Sequence, residues 1–283
     1  MSTVAPSQAP APAAERPARP VHKVTGARVL RSEWAKMWSL RSTWITLGLG
    51  LLFLVAFGLI AGYQFKSRIT SGRPMERGDF ASATALSLSL FGTNFAQLAL
   101  GVLGVLVAAG EYSTGMIRST LAAVPRRLPV LWSKAAVFGV VALLLGTAGV
   151  FATFLADSGI VSGTRAAMTL SDAGVVRSLF GAGLYLGLVG VVGVALGALL
   201  RSVAGGISVL VASLMLVPGL VSLLPSSWQD NISPYLPSHA GEAMFTLHHD
   251  ATTLSPTAGL VVFGLWTVAA LAGAAVRLVR TDA

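Results

Sequence analysis

The 283-residue chain contains no cysteine, which excludes a disulfide framework, a thiolate metal site, a cysteine nucleophile and a lipidated cysteine. Charge is scarce as well. Asp, Glu, Lys and Arg supply 11% of the residues, against about 25% in soluble domains. A soluble globule built from such a chain would lack the polar surface to cover itself. Nor is there a GxxxxGK[ST] sequence, or even a Gly-Lys dipeptide, so a phosphate-binding P-loop is missing. GxSxG, HExxH and EF-hand patterns are absent too.

Apolar residues take the place of charge, at 54% of the chain. A helix needs about 20 of them in a row to cross a bilayer. Six stretches qualify, at about 44–62, 86–109, 135–156, 179–200, 203–224 and 258–276, and none contains Asp, Glu, Lys, Arg or His. The short alternating segments of a membrane β-barrel are absent. The sequence therefore predicts an all-α polytopic membrane protein with six spans. A proton-relay carrier or an intramembrane protease would need ionisable groups inside those spans.

The net charge of +9 would suit a nucleic-acid partner if the basic residues shared one soluble face. Instead they lie between the apolar runs, so the partner they indicate is the lipid bilayer, not nucleic acid. With both termini in the cytoplasm, 14 Lys and Arg fall inside and 6 outside, the bias of the positive-inside rule. Trp34, Trp38, Trp44 and Trp132 then sit at the inner edge, where an interfacial aromatic belt belongs. Residues 1–23 read as a disordered Pro/Ala-rich tail. They lack the apolar core of a secretory signal, leaving the first span to act as a retained signal anchor.

Several segments are more than membrane filler. On a helical wheel of 27–41, Ala27, Leu30, Trp34, Met37 and Trp38 share one arc, while Arg28, Arg31, Ser32, Lys36 and Ser39 share the opposite one. This pattern predicts a basic amphipathic helix in the inner interface. Glu33 falls near its apolar boundary, within reach of an intramolecular Arg. The loop after the second span has helix character over 111–123, ahead of Pro125 and Pro129. It carries Met116, Ile117 and Leu121 among Ser and Thr, a pattern that suits either docking into a partner's groove or packing back onto the membrane helices.

In the second span, Ser87, Asn94, Gln97, Gly101, Gly104, Ala108 and Glu111 recur at helical spacing, with Leu90 as the large exception. Polar groups in hydrocarbon must face protein or water, so Asn94 and Gln97 point into a helix interface or a transport path. The fourth span aligns Gly183, Gly187, Gly190 and Gly197, a close-packing face that serves an intramolecular or a dimeric contact. Arg201 and Ser202 leave room only for a tight hairpin into the fifth span. The 225–257 loop, rich in Pro, predicts short elements at the outer leaflet. Its His239, Glu242, His248, His249 and Asp250 lack the spacing of a helical zinc motif, and no metal site is expected.

Three strings carry a resemblance: RSEWAKMWSLRSTW before the first span, EYSTGMIRSTLAAVPRRLPVLWSK after the second, and ALGALLRSVAG at the fourth hairpin. With YLPSHAGEA in the last outer loop, they make the chain resemble the permease subunits of ABC-2 type ATP-binding-cassette transporters, particularly actinobacterial ones. The likeness covers nearly everything after Val24, so residues 24–283 are expected to form one six-span permease domain. It departs in the extra tail and in Met116, where Thr is common.

The resemblance implies that 27–41 is an elbow helix, with Arg28, Arg31, Trp34, Lys36 and Trp38 at the interface. It implies that 111–123 is the coupling helix that docks on a separate ATPase, through Glu111, Tyr112, Gly115, Met116, Ile117, Arg118 and Leu121. Two permease subunits pair in that family, usually as homodimers in the bacterial plasma membrane. ATP and Mg are bound by the partner ATPase, and this chain holds no cofactor and no catalytic residue. The expected function is export of a lipophilic or amphiphilic substrate such as a drug, peptide or lipid. A non-transporting scaffold, immunity or sensory component is the alternative. Charge reversal at Glu111 or Arg118, or bulk at Gly115, is expected to uncouple transport without unfolding the spans.

Overall fold

A computed structural model describes residues 25–39, 41–72, 82–247 and 253–280. The 1–23 tail and the His248, His249 and Asp250 cluster lie outside the described residues. The described residues form helices and connecting turns, without a strand. Six helical stretches are long and apolar enough to cross a membrane. They extend past most of the predicted bounds because helix continues into the flanking interface.

The first span is α2 (Arg41–Thr70), preceded by α1 (Gly26–Ser39). At 1.5 Å per residue, the 30 residues of α2 reach roughly 45 Å, well beyond a hydrocarbon core of about 30 Å. The second span is divided into α3 (Ala85–Leu90) and α4 (Thr93–Ser113). Thr84 and Ser87 close a capping box at the start of α3, satisfying N–H groups that a helix end otherwise leaves open. At the division, Gly92 lies directly on the backbone carbonyl of Leu54, a contact that leaves no room for a Cβ.

The short α5 (Met116–Ala123) and the long third span α6 (Leu128–Ile160) follow. The fourth span, α7 (Val175–Leu200), is the central helix and packs against α4, α6 and α12. Arg201 at φ 55 and the Ser202 cap turn it into α8 (Val203–Val211), the tight hairpin expected from sequence. The fifth span is not regular: α8 passes through a π-helical segment, Ala212–Leu216, into α9 (Val217–Val221). Pro218 explains this, since it offers no N–H to the preceding turn and its ring crowds the carbonyl there.

Two short helices, α10 (Ser226–Ile232) and α11 (Pro237–Ala243), precede the sixth span, α12 (Pro256–Arg280). They are the short elements expected of the 225–257 loop. Trp228 and Tyr235 are exposed, whereas Leu236, Met244 and Phe245 are buried, so α11 is sunk into the bundle rather than resting on it.

The most apolar stretch of α7 is 61% buried, whereas that of the fifth span is 17% buried and that of α12 is 22% buried. Leu216, Leu220, Leu223, Val261 and Leu265 all point away from the chain's own core. Those faces suit lipid or another chain and not a soluble surface.

Candidate functional site

Four charged residues near α5 form a node, a ring of ion pairs in which Glu111 Oε2 is left without a hydrogen-bond partner among the described residues. Lys134, on the first turns of α6, places Nζ 2.6 Å from Glu33 Oε2 and 2.8 Å from Glu111 Oε1. Lys36 places its own Nζ 2.7 Å from Glu33 Oε1 and 3.0 Å from Glu111 Oε1. It also donates to Thr120 Oγ1 of α5 at 3.5 Å. Two cations and two carboxylates thus join α1, the end of α4, the start of α6 and, more weakly, α5. Glu33, Glu111 and Lys134 are buried, and Lys36 is partly exposed.

Burial alone would lower the Lys36 pKa, but the hydrogen bond and charge of Glu33, followed by those of Glu111, raise it above its ordinary value. The ammonium is therefore held charged. A buried ion pair adds little net stability compared with apolar residues of the same shape, yet losing one partner is expensive. Such a node fixes the relative placement of the helices it joins. The partners of Glu33 are lysines, not the arginine expected from sequence.

The node also corrects the reading of α1. Its buried stripe is Val29, Glu33 and Met37, spaced four residues apart and packed towards the protein. Met37 therefore does not belong with the lipid-facing arc. Leu30, Trp34 and Trp38 are exposed, as are Arg28 and Arg31. The Trp34 and Trp38 rings lie 5.8 Å apart and those of Trp38 and Trp44 4.4 Å apart, an aromatic row continuous from α1 onto α2. An acidic residue four positions from two apolar ones was the sequence signal for a protein-facing stripe.

The 111–123 segment is two elements, not one helix. Glu111 and Tyr112 are the last turn of α4, which ends at Ser113. Gly115 then turns the chain with φ 74, a conformation a Cβ disfavours, and α5 begins. Ile117 is 6% exposed, and Leu121 packs against the core one turn later. Met116 is 42% exposed, and Arg118 points outward beside it. Tyr112 lies under the Arg201 guanidinium, 5.2 Å from ring centroid to Cζ. Of the seven expected docking residues, Met116 and Arg118 form the free face, and Gly115 sets the turn. Glu111, Tyr112, Ile117 and Leu121 anchor the segment. Reversing the charge of Glu111 would therefore attack the fold itself and could not report on docking alone.

Asn94 and Gln97 part company. Gln97 is buried and accepts a hydrogen bond from the Tyr185 hydroxyl of α7, which assigns it to a helix interface. Asn94 is exposed and lines a cleft of about 790 Å³ at the opposite end of the bundle. The glycines of α7 also divide. Gly183, Gly187 and Gly190 face Thr147, Leu143 and Phe138 of α6, while Gly197 meets Val105 and Ala108 of α4. Gly101 packs on Leu210 and Val189, and Gly104 touches the Gly190 carbonyl. All are intramolecular seams.

Among the described residues, two carboxylates outside the node are withdrawn from solvent at least in part, Asp157 and Glu242. Asp157, near the end of α6, is fully buried against Gly62 of α2, and neither of its oxygens has a hydrogen-bond partner among the described residues. Glu242 lies on α11 at the wall of the 790 Å³ cleft. Sequence had placed Asp157 just beyond the third span, and the extra helical turn of α6 is what buries it. His239 is bonded through Nδ1 to Ser233 Oγ at 2.8 Å. No group of three metal-ligating side chains occurs among the described residues.

No protein-family model matches the chain, and no curated protein does.

Proposed function

We propose that the chain is the membrane permease subunit of an ABC-2 type transporter. It pairs with a second permease copy in the bacterial plasma membrane, with both termini cytoplasmic, and is driven by an ATPase in trans. The observation that carries this reading is α5. It is a short helix that offers Met116 and Arg118 outward while its other face is tied to the spans through Ile117, Leu121 and the Lys36 contact to Thr120. A solvated connector has no need of that construction.

In this reading ATP and Mg²⁺ are held by the partner, and this chain supplies the moving parts. An ATPase that binds one membrane conformation better than another shifts the population between them. Displacement of α5 is passed on by a node shared among α1, α4 and α6, which moves as a unit because no member can leave without stranding a buried charge. The weakly covered fifth and sixth spans provide apolar area for the second copy. The cargo is lipophilic or amphiphilic, and its direction is outward.

The test is purification of tagged protein from native membranes in mild detergent, followed by identification of co-purifying P-loop ATPases. Recovery with wild type, and loss with Met116→Asp plus Arg118→Glu at an unchanged unfolding temperature, is the expected result. Both substitutions are at exposed positions, so the spans stay intact. An ATPase retained by the double variant overturns the docking face. None recovered with wild type, under conditions where known transporter complexes survive, favours a non-transporting scaffold.

A further inference from the structure

A cleft opens at the end of the bundle opposite α5. It lies between α2, the divided second span and α11, and has a volume of about 790 Å³, within the range of small-molecule sites. Phe57 and Phe95 stack along one wall with centroids 3.8 Å apart and planes 13° apart. Phe91 meets Phe95 edge-on at 6.1 Å. Asn94 adds an amide, and Glu242 is the one charged side chain among the described residues that line it.

The position of Glu242 is fixed by its neighbours. Gly241, the preceding residue, is pressed against the Tyr185 ring so closely that a Cβ would overlap it. The carbonyl oxygens of Ala240 and Met244 lie against Gly259 of α12 and Gly181 of α7. Helix α11 is therefore wedged between two spans, and its carboxylate is held at the cleft instead of swinging into solvent. Among the described residues Glu242 has no ion-pair partner. The charged or titratable groups around it are His239, bonded to Ser233, the Tyr185 hydroxyl, bonded to Gln97, and Arg177 of α7, whose guanidinium donates to the Met244 and Thr246 carbonyls. Burial raises the Glu242 pKa, opposed in part by His239.

We propose that this cleft binds amphiphilic organic monocations, with Glu242 as the counter-charge and the Phe57, Phe91 and Phe95 wall as the apolar and cation–π surface. A cation lacking apolar bulk would leave the wall wet, and an apolar molecule lacking charge would leave a partly buried carboxylate unanswered. An anion of the same shape would be repelled. The cleft thus selects by charge within a protein whose overall charge is +9. That such a cation is cargo rests on the permease reading; that it binds does not.

The probe is tetraphenylphosphonium, with tetraphenylborate as its anionic counterpart of matching shape. Binding is measured by equilibrium dialysis against the purified full chain in lipid nanodiscs. Saturable phosphonium binding is expected, weakened at least tenfold by Glu242→Gln, with borate uptake not reduced by that substitution. Asn94→Trp, at an exposed cleft position, fills the site with the carboxylate intact and is expected to abolish saturation as well. Unsaturable phosphonium uptake, or dissociation constants within twofold in both variants, overturns the proposal. Identification of a co-purifying ATPase in the same preparations separates the two readings. Phosphonium binding without an ATPase sinks the permease reading alone, and an ATPase without phosphonium binding sinks this inference alone.

Discussion

The two ends of the bundle bury carboxylates in opposite ways. At the α5 end, Glu33 and Glu111 share two lysines in a node that closes on itself. At the other end Asp157 has no hydrogen-bond partner and Glu242 borders an open cleft without an ion pair among the described residues. Paired charges hold helices in register, because any departure leaves one of them stranded. An unpaired carboxylate holds nothing in register and costs stability, so its presence beside a cleft points to an external partner. The first arrangement suits transmission of force and the second suits recognition.

The comparison breaks most sharply at Lys134. Lys134→Met removes the cation that bridges Glu33 and Glu111 within the interior, leaving two carboxylates with only the partly exposed Lys36. Stability should fall by about 3–5 kcal/mol, the cost of breaking a buried pair from one side. The triple variant Lys134→Met, Glu33→Gln, Glu111→Gln should recover most of the loss, since neutral groups tolerate one another's company. Detergent-solubilised unfolding followed by circular dichroism checks both. A single variant as stable as wild type would mean that the node holds nothing together.

A smaller effect is expected where backbones meet without charge. Gly104 of α4 contacts the Gly190 carbonyl and the Gly193 and Val194 backbone of α7. Gly104→Leu forces apart two helices that form the centre of the bundle, and overpacking of this kind costs about 1–3 kcal/mol. The same substitution at Gly264 of α12, which has open space around it, should cost nothing, since a helix interior favours Leu over Gly. Paired thermal melts of the two variants test whether the seam is specific.

Much of this architecture was legible in the sequence, and the reasons differ by feature. Charge-free apolar runs place the six spans because lipid leaves a polar segment nowhere to go. The Pro-rich loop before α12 announced short elements, whereas Gly115, inside a run that reads as one helix over 111–123, gave no sign of the turn it makes. What sequence could not supply was which residues meet across the chain. Glu33, Lys36, Glu111 and Lys134 lie up to 101 positions apart, and no local pattern assigns Glu33 to Lys134 in place of an arginine. The separation of Asn94 from Gln97 likewise depends on Tyr185, which is 88 residues beyond Gln97. The π segment was hidden because a proline inside an apolar run signals disturbance without specifying its form.

The smallest effect is the most informative about recognition, because it runs against the usual direction of mutation. Burial raises the Glu242 pKa above the ordinary 4.5, so the folded protein resists ionisation that the unfolded chain accepts. Below pH 4.5 both states carry the proton and the residue costs nothing. As pH rises through 4.5 the unfolded state loses its proton first, and the folded state is disfavoured by an amount that grows until the folded pKa is passed. Glu242→Gln should therefore unfold at a higher temperature than wild type at pH 7 and at the same temperature at pH 4. Asp157→Asn, which removes a buried carboxylate without a hydrogen-bond partner among the described residues, should be at least as stable as wild type, in contrast with the loss expected for Glu111→Gln. If Glu242→Gln gains stability while losing phosphonium binding, the carboxylate is a functional charge held at the expense of the fold. A variant less stable than wild type at pH 7 would place Glu242 with Glu111, as a charge the fold depends on, and the contrast between the two ends would collapse.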